Sequence, residues 1–140
     1  MNDIYNDAEN DAKIDYSQLE VEASKTPSLI QKWNRILTEA KFKEKLLKLD
    51  LKTLRSKKWE YYAGKSSPEE YMENPPSGTK ILKGDIEKYI EMDKNVKELA
   101  EKLSAQEVVV EYLQNTLNTM RDRSYSVQAA IKMRIFLSGG

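Results

Sequence analysis

From Ile30 to Tyr61 the chain repeats every three and then four residues, through Ile30, Trp33, Leu37, Ala40, Glu44, Leu47, Leu51, Leu54, Lys58 and Tyr61. An α-helix turns once in about 3.6 residues, so positions spaced in this way share one face, and such a face needs a partner to cover it. A second, more apolar seam has the same spacing, through Tyr89, Met92, Val96, Leu99, Leu103, Gln106, Val110, Leu113, Leu117, Met120, Ser124, Val127 and Ile131. Two long seams leave little chain for anything else. They predict a mainly α protein of long amphipathic helices whose work is done by a helical assembly presenting a surface.

Composition supports that reading. Charged residues make up 33% of the 140 residues and hydrophobic residues 39%, a balance that suits helices burying narrow seams between chains better than a monomer enclosing a large core. Homo-oligomerisation is therefore expected. Polar residues within the seams, Glu44, Lys58, Gln106 and Ser124, are of the kind that fix register and oligomer state.

Cysteine and histidine are both absent, which removes disulfides, thiolate nucleophiles, imidazole bases and the usual zinc ligands. Asp3, Asp7, Glu9 and Asp11 lack the ligand order and glycine of a calcium loop, so no metal and no cofactor are expected. Ser124 and Ser126 have no histidine to activate them. The pairs Glu69–Glu70 and Glu87–Glu91 carry no sign of the burial that acid–base catalysis needs. Gly64-Lys65-Ser66 resembles the end of a phosphate-binding loop, but Trp59 stands where that motif has its first glycine, and a helix precedes it instead of a strand. The chain reads as a non-enzyme. Its longest apolar run is Val108-Val109-Val110, far short of a membrane span, and its N-terminus is acidic, so a soluble intracellular protein without membrane contact is expected.

The formal net charge is zero, yet the charges are sorted. Residues 1–22 carry seven carboxylates against Lys13 alone, and residues 69–111 are again mostly acidic. Between 41 and 65 the balance inverts, with Lys41, Lys43, Lys45, Lys48, Lys52, Arg55, Lys57, Lys58 and Lys65 against Glu44, Asp50 and Glu60. A neutral total thus hides a strongly basic segment suited to a polyanion.

Residues 1–15 lack an apolar period and read as a disordered acidic arm, which offers a shield for the basic segment. A helical region follows over 16–64. Thr26-Pro27 is expected to cap and open its main helix, and Gly64 to end it. Residues 65–84 contain Ser66, Ser67, Pro68, Pro75, Pro76, Ser77 and Gly78, a Pro/Gly/Ser connecting loop with room for a short helical turn from Pro68 to Met72 capped by Ser67. Residues 85–140 form a second helical region opening at Asp85, with a break expected near Arg121–Ser126 and an end near Leu137.

One face of the first helix stands out. Lys41, Lys45, Lys48, Lys52 and Arg55 step by four, three, four and three, and the same step continues to Trp59 and Tyr62. Five cations in line span roughly 21 Å, enough to track several phosphates, and the aromatics offer stacking platforms for unpaired bases. Lys57, Lys58 and Lys65 thicken the charge beside them. The alternative is a plain coiled-coil scaffold or tether, in which these lysines are solvated outer positions and the aromatics pack on a neighbouring helix. The near absence of acidic residues from the stripe favours the first reading.

Lys58-Trp59-Glu60-Tyr61-Tyr62-Ala63-Gly64-Lys65 resembles the basic "YYxGK" helix end of the UvsY family, the recombination mediators of T4-like bacteriophages. The run from Arg123 to Ile131, with Arg134, Phe136 and Gly139, resembles that family's closing motif, and Lys32-Trp33 matches its Lys-Trp pair. The resemblance implies an accessory protein of homologous recombination that forms a hexameric or heptameric ring. It also implies that the ring binds single-stranded DNA, and contacts the phage recombinase and the phage single-stranded-DNA-binding protein to load the former onto strands covered by the latter. The cytoplasm of the infected bacterial host is the implied setting. Of the family's two DNA-contacting basic positions, one falls on Lys58 and the other on Ser56, flanked by Arg55 and Lys57. Oligomerisation through the C-terminal helices is implied as well, and fits the second seam at Val110, Leu113, Leu117, Met120, Val127 and Ile131, with Phe136 beyond its end.

Overall fold

The computed structural model describes residues 2–76 and 80–139, and every regular element in them is helical. Ser77 and Gly78 of the expected loop and Gly140 of the tail lie outside the described residues. The helices are α1 (Asn2–Ala12), α2 (Leu19–Tyr62), α3 (Pro68–Glu73), α4 (Ile86–Met92), entered through a 3-10 turn at Lys83–Asp85, and α5 (Lys94–Leu137). The chain gathers into two units, one built from residues 2–41 and 108–139 and the other from 42–107. Both α2 and α5, at 44 residues each, contribute to each unit.

In the first unit, Trp33 and Leu37 of α2 and Leu113, Leu117 and Met120 of α5 form a core with Ala8 of α1. All are buried, with Trp33 and Met120 at 0% exposure. The two long helices run antiparallel here, because Arg123, late on α5, meets Glu22 and Thr26, early on α2. Leu113, Leu117 and Met120, expected to join subunits, have their apolar faces covered here by the chain's own α1 and α2. Val127 is likewise buried, Val110 and Ile131 are half-buried, and only Phe136 of that set is exposed.

The acidic arm is also corrected. Residues 2–12 are helical because their spaced apolar residues, Ile4, Ala8 and Ala12, have a surface to cover. Their carboxylates have a partner too: Lys32 Nζ donates to Asp11 Oδ2 at 2.7 Å and to Asp7 Oδ1 at 3.0 Å, and the Trp33 indole N–H donates to Asp11 at 2.9 Å. Burial alone would push the Lys32 pKa down, but its hydrogen bonds to Asp11 and Asp7 and their negative charge outweigh it and hold the ammonium above its ordinary value. Two of the arm's charges are thereby committed to Lys32 in this unit. Tyr5 meets Tyr112 edge to face, with centroids 4.7 Å apart.

The helix start expected at Thr26-Pro27 is absent, since α2 begins at Leu19 and carries Pro27 in its ninth position. Proline withdraws one N–H and crowds the preceding turn. That turn is held by side chains: the Thr26 hydroxyl donates to the Glu22 carbonyl at 2.9 Å, and Arg123 of α5 donates to the same carbonyl and to Thr26 Oγ1. The break expected at Arg121–Ser126 does not occur either, because Arg123 is drawn inward to those acceptors.

The second unit has its own core of Ile86, Ile90 and Val96, against which Leu51, Leu54, Trp59, Tyr62, Ala63 and Ile81 pack. Every member of the first seam is buried or half-buried, and so is the second from Val96 onward. Tyr89 and Met92 fall out of phase and are exposed, because α4 stops at Met92 and α5 restarts behind Asp93, resetting the helical register. Asp93 is the cap: its Oδ1 accepts the Asn95 N–H at 2.9 Å and the Val96 N–H at 3.1 Å.

Candidate nucleic-acid interface

The site begins with how α2 ends. Gly64 takes φ +77°, its N–H donates to the Tyr61 carbonyl and the Lys65 N–H reaches back to Glu60 at 2.8 Å, a paired closure that turns the chain sharply and needs the left-handed residue. Lys65 is thus folded back beside its own helix, with Nζ 5.1 Å from the centre of the Trp59 ring. Ser67 then caps α3 by accepting the Glu70 N–H at 3.3 Å. The turn sequence expected inside the connecting loop is therefore a helix.

α3 folds Tyr71 against the end of α2. Its ring stacks on Tyr61, centroids 5.3 Å apart and 29° between planes. Its hydroxyl donates to the Tyr61 carbonyl at 2.8 Å and accepts the Ser66 N–H. Tyr61 also donates to the Asn74 carbonyl at 2.9 Å, and Tyr62 sits between Tyr61 and Tyr89. A basic concavity of about 460 Å³ opens beside this cluster, lined by Lys57, Lys58, Lys65, Tyr61, Ser66 and Asn95, with Glu60 and Glu70 also on its walls.

The residues singled out from the sequence separate into three groups. Lys45, Lys48, Lys52, Lys57 and Lys65 are exposed and Arg55 half-exposed in the second unit, with Lys48 paired to Glu44 at 3.3 Å; Lys41, also exposed, falls in the first unit. Trp59 is half-buried, one side on the core and the other under Lys65. Tyr62 is not the free stacking platform expected of it, because its ring is packed and its hydroxyl donates to Asp93 Oδ2 at 2.6 Å. Lys58 is drawn to the same oxygen at 3.3 Å, with its ammonium 5.7 Å from the Tyr61 ring centre.

Asp93 is the residue the sequence reading missed. It is the meeting point of the end of α2 and the start of α5, with 8% of its side chain exposed. Burial by itself raises its pKa, but the hydroxyl of Tyr62, the Val96 amide and Lys58 more than reverse this and hold it below the ordinary carboxylate value. Burial and the hydrogen bond to Asp93 push the Tyr62 phenol up, so it stays a donor. The available signal was an Asp just beyond the last apolar turn of α4, a capping residue between two helical periods. Also missed was an exposed apolar row, Phe42, Leu46 and Leu49, each one residue after a lysine of the stripe.

Residues 7–140 match the profile of the family described as recombination, repair and ssDNA binding protein UvsY. Three crystal forms of the bacteriophage T4 recombination mediator protein UvsY share the fold. One superposes with a TM-score of 0.85 at 19% identity, covering 99% of this chain and 97% of that one. The others give 0.83 at 19% identity, covering 96% and 98%, and 0.81 at 18%, covering 97% of each chain. A comparison with curated protein sequences finds no match. With all but its first six residues matched, the chain belongs to the UvsY family of recombination, repair and single-stranded-DNA-binding proteins.

Proposed function

We propose that this UvsY-family chain is a recombination mediator that holds single-stranded DNA at the end of α2, with Lys57, Lys65 and Trp59 touching the strand directly and Lys45, Lys48, Lys52 and Arg55 guiding it toward them. The observation that carries this reading is the closure at Gly64, which folds Lys65 over the Trp59 ring, so that Lys65 lines one concavity with Lys57 and Lys58 and the neighbouring one with Trp59 and Ser56. Cations beside an aromatic ring suit a backbone with unpaired bases and discriminate little between sequences. Each such site is modest, and several copies in a hexameric or heptameric ring hold the strand by avidity. A ring of weak sites releases its strand readily. That suits loading a phage recombinase onto DNA covered by the phage single-stranded-DNA-binding protein, in the cytoplasm of the infected host. Among the described residues no helix is long and apolar enough to cross a membrane.

Fluorescence anisotropy with a labelled oligo-dT tests the site. Lys57→Ala with Lys65→Ala should weaken binding about tenfold or more at low salt and flatten the log–log salt dependence by about 0.7 for each phosphate no longer neutralised. Sedimentation should show the oligomer unchanged. An affinity at low salt equal to that of the unmodified protein would reject this surface.

A further inference from the structure

Resting on the strand-binding reading above, we infer that the Asp93 carboxylate is an internal stand-in for a DNA phosphate, and that a bound strand takes Lys58 away from it. A carboxylate accepts about four hydrogen bonds. Three of those at Asp93 come from rigid donors: the amides of Asn95 and Val96 on Oδ1, fixed by the first turn of α5, and the Tyr62 hydroxyl on Oδ2 at 2.6 Å. Lys58 supplies the fourth, at 3.3 Å, the longest of the set and on the only flexible side chain. If it leaves, Asp93 remains satisfied.

Lys58 is also the one member of this group with somewhere to go. Its side chain keeps 20% exposure against 8% for Asp93, and it lines the same concavity as Lys57 and Lys65. A phosphate oxygen entering there offers the ammonium the same partner chemistry as the carboxylate oxygen. Strand binding at Lys58 is therefore an exchange of one anion for another, and only the difference contributes to affinity. Lys57 and Lys65 contribute without that deduction. Asp93 is a positioning residue that lowers the affinity of each subunit and so eases release of the strand.

The test is a double-mutant cycle on the full chain, read by anisotropy with oligo-dT. Asp93→Asn keeps a good capping residue and an acceptor for the α5 amides while removing the charge. It should tighten binding about three- to tenfold at low salt and steepen the salt dependence by about 0.7. In a Lys58→Ala background the same change should do nothing, and equal tightening there would overturn the inference, since it would report only a change in overall charge. In the unmodified protein, the carboxyl-carbon NMR shift of ¹³C-labelled Asp93 should move, on saturation with oligo-dT, to its value in free Lys58→Ala protein. A resonance that stays in place overturns the exchange whether or not Asp93→Asn folds. If the unmodified protein does not bind oligo-dT, it is the strand-binding reading that fails. If it binds, and Lys57→Ala weakens it while Asp93→Asn leaves it unaltered, the exchange alone fails.

Discussion

Arg123 has 1% of its side chain exposed, and a guanidinium is costly to take out of water unless its donors are met. Its partners come from the other end of the chain: the carboxylate and carbonyl of Glu22, the hydroxyl of Thr26 and the carbonyl of Lys13. Only its Nε is left without a partner. Removing one side of such a pair strands the other, so Arg123→Met should cost about 3–5 kcal/mol, whereas combining it with Glu22→Leu should recover most of the loss. Urea denaturation at one fixed protein concentration measures both; single and double variants of equal stability would contradict the pairing. Neither residue's role was legible in the sequence. Arg121-Asp122-Arg123 reads as a solvated break because nothing local shows that a carboxylate 101 positions earlier is its partner. Asp93 was hidden for the same reason, its partners Lys58 and Tyr62 lying more than thirty residues back.

At the level of elements, what a helix end says in a few adjacent residues was readable, and what a helix needs from elsewhere was not. Gly64 and the Ser67-Pro68 start of α3 declared themselves because cap chemistry is local. Pro27 misled because a proline at the first turn and a proline supported by Arg123 and Thr26 look identical in sequence. The acidic arm misled because its helix depends on Lys32 and Trp33. Local cap chemistry can be tested by contrast. A Cβ at Gly64 would meet nothing within 4 Å, but the residue has φ +77°; Gly84 is equally open and has no such backbone. Gly64→Ala should therefore lower stability by about 1–2 kcal/mol, the cost of a left-handed L-residue. Gly84→Ala should be neutral or slightly stabilising, through the entropy of the unfolded chain. The denaturation midpoints at matched concentration decide it, and equal losses at both glycines would mean that α2 does not end as described.

For the molecule as a whole, the decisive change is in which apolar residues remain to join subunits. Leu113, Leu117 and Met120 are used up inside the first unit. Among the apolar residues left exposed there, with Tyr16, Val21, Val108 and Tyr125, four gather at the end of α5: Met133, Ile135, Phe136 and Leu137 are all more than half exposed, at 58%, 52%, 76% and 76%. Large apolar residues clustered on one exposed helix end mark an interaction surface, and this cluster includes Phe136, the one member of the expected joining set left exposed. Two substitutions then part company. Phe136→Asp should leave the thermal unfolding of the subunit nearly unchanged while shifting sedimentation to smaller species, and oligo-dT affinity should fall by about 10² as multivalency disappears. Leu113→Asp, at a position 1% exposed, places a charge in the core and should unfold the first unit, losing assembly only as a consequence. Circular dichroism melts beside sedimentation separate the two. A Phe136→Asp protein that keeps its full mass would move the interface elsewhere, and the next exposed apolar row is Phe42, Leu46 and Leu49 on α2, directly beside the lysines proposed to guide the strand.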